Sequence, residues 1–144
     1  FRNDVLGVNE PLLTTGMGSE ARILYVHYKD AGHVYFGYDR AGSGGDRGPA
    51  VPLDFTVPHS VEMTLGSLYP GPDDPKWSGL PSGSAEVRHT QMEIKLDGGV
   101  VFKAEHRVDM VSHREVSIGH NFVNTTHCQA AFSGTISDVR RNAW

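Results

Sequence analysis

Apolar side chains recur at every second position in short runs along this chain, and each run is closed by Gly, Pro, Asn or Asp. That two-residue rhythm marks strands with one hidden face. From Ala21 to Tyr28, Ile23, Tyr25 and His27 share one face, and Leu24, Val26 and Tyr28 share the other. Lys29-Asp30-Ala31-Gly32 predicts a turn. Beyond it Val34, Phe36 and Tyr38 alternate with His33, Tyr35 and Gly37, so the two runs predict a β-hairpin. Gly42 to Gly48 reads as a flexible loop. Val51, Leu53, Phe55 and Val57 alternate next, and Pro52 and Pro58 near the ends place this strand at an edge or keep it short.

Ser60 to Leu68 follows, with Val61, Met63 and Leu65 on one face and Glu62 and Thr64 on the other. Tyr69 to Ser84 carries Pro70, Pro72, Pro75 and Pro81 with Gly71, Gly79 and Gly83, the composition of a long loop. Ala85 to Leu96 is expected to be one strand, with Met92, Ile94 and Leu96 facing away from Val87, His89, Gln91, Glu93 and Lys95. Asp97-Gly98-Gly99 is a hairpin turn leading into a returning strand from Val100 to Ala104. Arg114 to Ile118 and Phe132 to Val139 complete the series. About ten strands with almost no helix signal predict a sandwich or a barrel. No fixed-period repeat supports a propeller or solenoid.

The 144 residues carry 38% hydrophobic and 21% charged side chains, so the composition is that of a globular domain able to build its own core. The expected organisation is a single domain over residues 1–144, excised from a larger protein because the sequence opens on Phe1 rather than Met. A formal charge of −4, with no Lys/Arg cluster beyond Arg140-Arg141, argues against a nucleic-acid partner. No apolar run reaches the roughly 18 residues of a membrane span, so no direct membrane insertion is expected. One cysteine, Cys128, excludes an intrachain disulfide and reads as a buried thiol.

Three segments carry a family resemblance. They are Val61-Glu62-Met63-Thr64-Leu65-Gly66, the strand and turn Met92-Glu93-Ile94-Lys95-Leu96-Asp97-Gly98, and Val116-Ser117-Ile118-Gly119-His120-Asn121 followed by Phe132-Ser133-Gly134-Thr135-Ile136-Ser137-Asp138-Val139. In this order they resemble the concanavalin A-like lectin/glucanase superfamily, in its laminin-G-like and pentraxin-like branch, over roughly Ile23 to Arg141. The resemblance implies an all-β fold, a two-sheet antiparallel β-sandwich of the jelly-roll type. It also implies that ligands sit on the concave sheet or its rim loops. Gly119 and Gly134 read as structural, at a strand end and a close backbone approach.

Glycoside cleavage needs two carboxylates about 5 to 9 Å apart, and the superfamily's glucanases place theirs two residues apart on one strand. No such pair stands here: Glu62 precedes Thr64, Glu93 precedes Lys95, and Glu86 precedes Arg88. The expectation is therefore no catalysis. The eight histidines form no H-E-x-x-H pattern, and His113, His120, His127 and Cys128 are a weak zinc set against the reading of ordinary surface and core residues. Calcium, implied by the resemblance, takes roughly six to eight oxygens. Its candidates are Asp73, Asp74 and Asn121 among Asp30, Asp39, Asp46, Asp97 and Asp138.

Sugar binding uses an aromatic face and polar groups for hydroxyls. Trp77 in the proline-rich loop is one candidate, either a platform or a plug at one end of the sheets. His33, Tyr35 and Tyr25, with His27, form the other, an outward patch on the hairpin. The expected function is a non-catalytic carbohydrate-binding or surface-adhesion module with a glycan or a surface protein as partner, placed outside the cell, in the periplasm or on the cell surface. The alternative is a structural or protein-interaction domain without a small ligand.

Overall fold

Eight strands, one short α-helix and three single-turn 3-10 helices form among residues 1–2, 4–41, 43–106, 115–123 and 126–141, the part of the chain that the computed structural model describes. In order the strands and the α-helix are β1 (Asn9–Thr15), β2 (Arg22–Asp30), β3 (His33–Arg40), β4 (Arg47–Pro52), β5 (Val61–Leu65), α1 (Ser84–Thr90), β6 (Gln91–Leu96), β7 (Gly99–Glu105) and β8 (Val116–Ile118). They pair into two antiparallel sheets, β4-β3-β2-β1-β8 and β5-β6-β7.

One hydrophobic cluster joins the two sheets. Leu24, Val26, Tyr28, Val34, Phe36 and Tyr38 come from the first, and Met92, Ile94, Leu96, Phe102 and Ala104 from the second. These are the alternating positions of β2, β3, β6 and β7, so the period-two pattern of the sequence selects the residues that join this cluster, while on β2 and β3 Ile23, Tyr25 and Asp39 of the opposite face are buried as well. The edge strands β4 and β7 approach closely. A methyl group on Gly48 would lie 2.8 Å from the Val101 carbonyl oxygen, which makes a side chain there untenable. Two polar pairs are buried: the Thr15 and Ser67 hydroxyls lie 3.2 Å apart, and the Tyr28 hydroxyl donates to Glu10 Oε2 at 2.9 Å, with Phe55 stacked on the Tyr28 ring.

Four expectations need correction. Residues 85–90 are not strand but α1, entered from Gly83 in the left-handed region (φ +84°). Glu86 in its first turn and Arg88 and His89 in its last match the helix dipole, and the helix leaves Val87 58% exposed. Residues 132–139 are not a strand. Phe132 packs on the core, but Ile136 and Val139 are exposed, and Asp138 takes a left-handed backbone (φ +53°) that interrupts extension. The strand expected over Val51 to Val57 instead starts at Arg47, inside the expected loop, and stops at Pro52. Leu53 and Phe55 still reach the core without strand pairing. β1 was hidden because a bulge between Pro11 and Leu13 puts Leu12 and Leu13 both into the core and breaks the alternation. The count is thus eight strands among the described residues rather than ten; Arg114 and the rest of 107–114 lie outside them. The edge position inferred from Pro52 agrees with β4 as the border of its sheet. Among the described residues, no helix is long and apolar enough to cross a membrane.

Candidate functional site

The face of β2 and β3 turned away from the shared core carries Ile23, Tyr25, His27, Tyr35, Gly37 and Asp39, because these alternate with the core residues. Register sets them in cross-strand rows: His27 opposite Tyr35, Tyr25 opposite Gly37, Ile23 opposite Asp39. The row containing Gly37 shows why glycine stands there. A Cβ at that position would sit 2.6 Å from Tyr25 Cζ and hydroxyl and 2.8 Å from the Asp46 carbonyl. The missing side chain lets the Tyr25 phenol lie across β3.

Two cations and an imidazole gather around the half-buried Tyr35 ring. The Arg47 guanidinium stands 4.4 Å from the ring centroid, the Lys29 ammonium 5.7 Å, and the His27 ring 5.8 Å. His27 Nδ1 lies 2.7 Å from Asn9 Oδ1, and Asn9 donates to the His127 carbonyl at 3.3 Å, so the imidazole is oriented from β1. Burial, and then the neighbouring Arg47 charge, hold the His27 imidazole below its ordinary range, and it enters this patch neutral. Burial pushes the Tyr25 phenol up, keeping it a hydroxyl, although Arg47 opposes the shift. Cys128 lies close by and its thiol is pushed up to about 12 by burial and by Asp39, which makes it unreactive.

Next to Arg47, Asp46 pairs with His106 at 2.6 Å, and the His106 ring stacks on Tyr38 at 5.6 Å. This contact ties the β3–β4 loop to the end of β7. A shallow groove lined by Arg47, Pro49, Val100 and Lys103 runs between the two edge strands beside the patch.

The sequence candidates fall into separate places. Tyr25 and Tyr35 share the face of the hairpin turned away from the core cluster, but Tyr25 is buried, at 8% exposed, and only Tyr35 is part-exposed, so the expected outward patch does not include the Tyr25 ring. His33 lies at its tip, pairs with Asp30 at 2.9 Å, and makes no described contact with Tyr35. Trp77 sits on the β5–β6 connection. Its indole N–H donates to the Gly71 carbonyl at 2.7 Å, and Tyr69 and His89 pack against its ring. His89 Nε2 also reaches the Pro70 carbonyl at 2.8 Å. These contacts make Trp77 the brace of the proline-rich loop. Asp74 caps the turn at Pro75–Trp77 through the Lys76 amide, and Asp73 is exposed beside it. Asn121 binds its own segment: it donates to Thr126 Oγ1 and the Cys128 carbonyl and accepts from the Val123 amide. The three calcium candidates therefore serve two different loops. No group of three or more His, Cys, Asp or Glu side chains suited to a metal occurs among the described residues.

Sequence reasoning missed Arg47 and Lys29, because a cation beside a turn carries no pattern of its own. It treated Asp39 only as a calcium oxygen, although its alternation with Tyr38 already put it on the Tyr35 side. No protein family, curated protein or solved structure matches the chain.

Proposed function

We propose that this chain is a non-catalytic carbohydrate-recognition module, built on a concanavalin A-like sandwich, that takes an acidic glycan on the outward face of its larger sheet. The observation carrying this reading is the Tyr35 ring with Arg47 at 4.4 Å and Lys29 at 5.7 Å. The guanidinium is a two-pronged donor for carboxylate or sulfate, and the rings beside it offer apolar edges to a pyranose. His27 supplies a neutral imidazole for sugar hydroxyls. Placement outside the cell belongs to the same proposal.

Arrays of uronate-bearing, sulfated and neutral glycans test the proposal, probed with the wild type, Tyr35→Ala and Arg47→Ala. Binding to acidic glycans, lost in both variants while their circular dichroism stays native, supports it. Uniform silence across the array, or binding untouched by either substitution, refutes it.

A further inference from the structure

Asp39 is 4% exposed, and neither of its carboxylate oxygens has a hydrogen-bond partner among the described residues. Buried charge without a donor is among the costliest arrangements a fold can hold, so an orphan of this kind calls for a ligand. A second orphan lies on the same face. Thr14 Oγ1 is fully buried and unpartnered, and Thr14 and Asp39 flank Ile23 in one row across β1, β2 and β3. The two carboxylate oxygens only accept hydrogen bonds, so their absent partner is positive or a donor; Arg22 Nε is also buried and unpartnered, but Arg22 alternates with Ile23 and belongs to the other face of β2. The walls around the carboxylate are Ile23, the Tyr25 phenol and the Cys128 thiol, the last two near enough to feel its charge. Such walls are apolar and aromatic. They do not supply the roughly six to eight oxygens of calcium, and no three-ligand metal group includes Asp39. An aliphatic, aromatic and carboxylate lining suits an organic cation, through a charge-assisted hydrogen bond below and ring contact at the side.

We propose that the Asp39 carboxylate anchors a subsite for a small organic cation, an alkylammonium or guanidinium group, on the outward face of β3. The subsite is closed in the structure. Cys128 lies near enough to Asp39 to feel its charge, and its segment is held to β1 by the Gln129 amide, which donates to the Asn9 carbonyl at 2.8 Å. Entry requires a local opening of the fold around Asp39. The inference does not rest on the glycan reading, because Asp39 lies two rows away from Tyr35 and is unpaired whatever Tyr35 binds.

The test titrates wild type and Asp39→Asn with ethylammonium chloride and methylguanidinium chloride, against sodium chloride and calcium chloride at equal ionic strength. Melting temperature and the carbon-13 shift of the Asp39 carboxylate are read together. The wild type should gain about 3–5 °C at tenfold saturation with at least one organic cation, and its Asp39 resonance should move saturably. Asp39→Asn should melt above the free wild type, because it removes a buried charge, and should not respond to either organic cation. An Asp39 resonance that follows ionic strength alone, or answers calcium only, overturns the proposal. So does an Asp39→Asn chain that melts lower or fails to fold, since the carboxylate then has a structural partner.

Discussion

Removing the Tyr28 hydroxyl gives the sharpest reading of the polar pair inside the core. Tyr28 is 0% exposed and Glu10 2%, and the 2.9 Å hydrogen bond is the one side-chain partner described for the Glu10 carboxylate. Burial first, and the adjacent Glu10 second, drive the Tyr28 phenol far up, so it remains a donor across the accessible pH range. Tyr28→Phe keeps the ring and its stacking on Phe55 but leaves Glu10 buried without a donor. A hydrogen bond to a charged group contributes about 1.5–3 kcal/mol, and the stranded carboxylate puts this case at the upper end. In a chain of 144 residues that corresponds to a fall of roughly 5–10 °C in melting temperature. Urea unfolding of Tyr28→Phe, Glu10→Gln and the double variant, followed by far-ultraviolet circular dichroism, separates pair from parts. The double variant should lose less than the sum of the singles, because nothing charged is then left unpaired. A Tyr28→Phe loss below about 0.5 kcal/mol would show that the bond contributes nothing net and would refute this reasoning.

His59 is expected to make stability depend on pH. Its Nδ1 faces Asp97 Oδ2 at 2.7 Å and its Nε2 the Asp54 carbonyl at 2.8 Å, two acceptors that only an imidazolium satisfies together. The hydrogen bond to Asp97 is the main cause that raises the folded pKa above the ordinary 6.5; partial burial and the Phe1 amino group oppose it. The contribution is then complete below about pH 6.5 and disappears as pH climbs through the raised folded value. Urea midpoints between about pH 5 and 9 should fall more for wild type than for His59→Gln, and parallel curves would count against the clamp. Gly37→Ala drives a methyl into the Tyr25 phenol and the Asp46 carbonyl, so a loss of about 1–3 kcal/mol with a displaced Tyr25 resonance is expected. Ile94→Ala empties the centre of the cluster shared by both sheets and should cost about 2–5 kcal/mol in urea. A loss under about 1 kcal/mol would contradict its central position.

The hairpin of β2 and β3 was legible because its alternation is unbroken over both strands, although burial does not alternate with it: Ile23, Tyr25 and Asp39 on the other face are buried too. The Asp97-Gly98 turn was legible too, since both residues adopt positive φ as that turn demands. Elsewhere tertiary structure overrode pattern. β1 escaped notice where the bulge shifts its rhythm by one residue, and α1 looked like strand because Ala85, Val87 and His89 alternate for fewer than two helical turns. Phe132, Ile136 and Val139 mimic a strand, yet only Phe132 finds the core. For the site, the sequence indicated the side on which Tyr25 and Tyr35 lie. It could not reveal that Arg47 reaches Tyr35 from β4, or that Asp39 would be covered without a partner, because both facts depend on where a loop returns.

The central claim is that the Arg47–Tyr35 patch recognises an acidic sugar. Nitrogen-15 heteronuclear spectra recorded while adding an oligouronate test it most directly. The account predicts saturable shifts at Lys29, Tyr35 and Arg47 that vanish in Arg47→Ala, with the β5–β6–β7 sheet unmoved. Shifts centred on Trp77 and its proline-rich loop, or none at all, would contradict it.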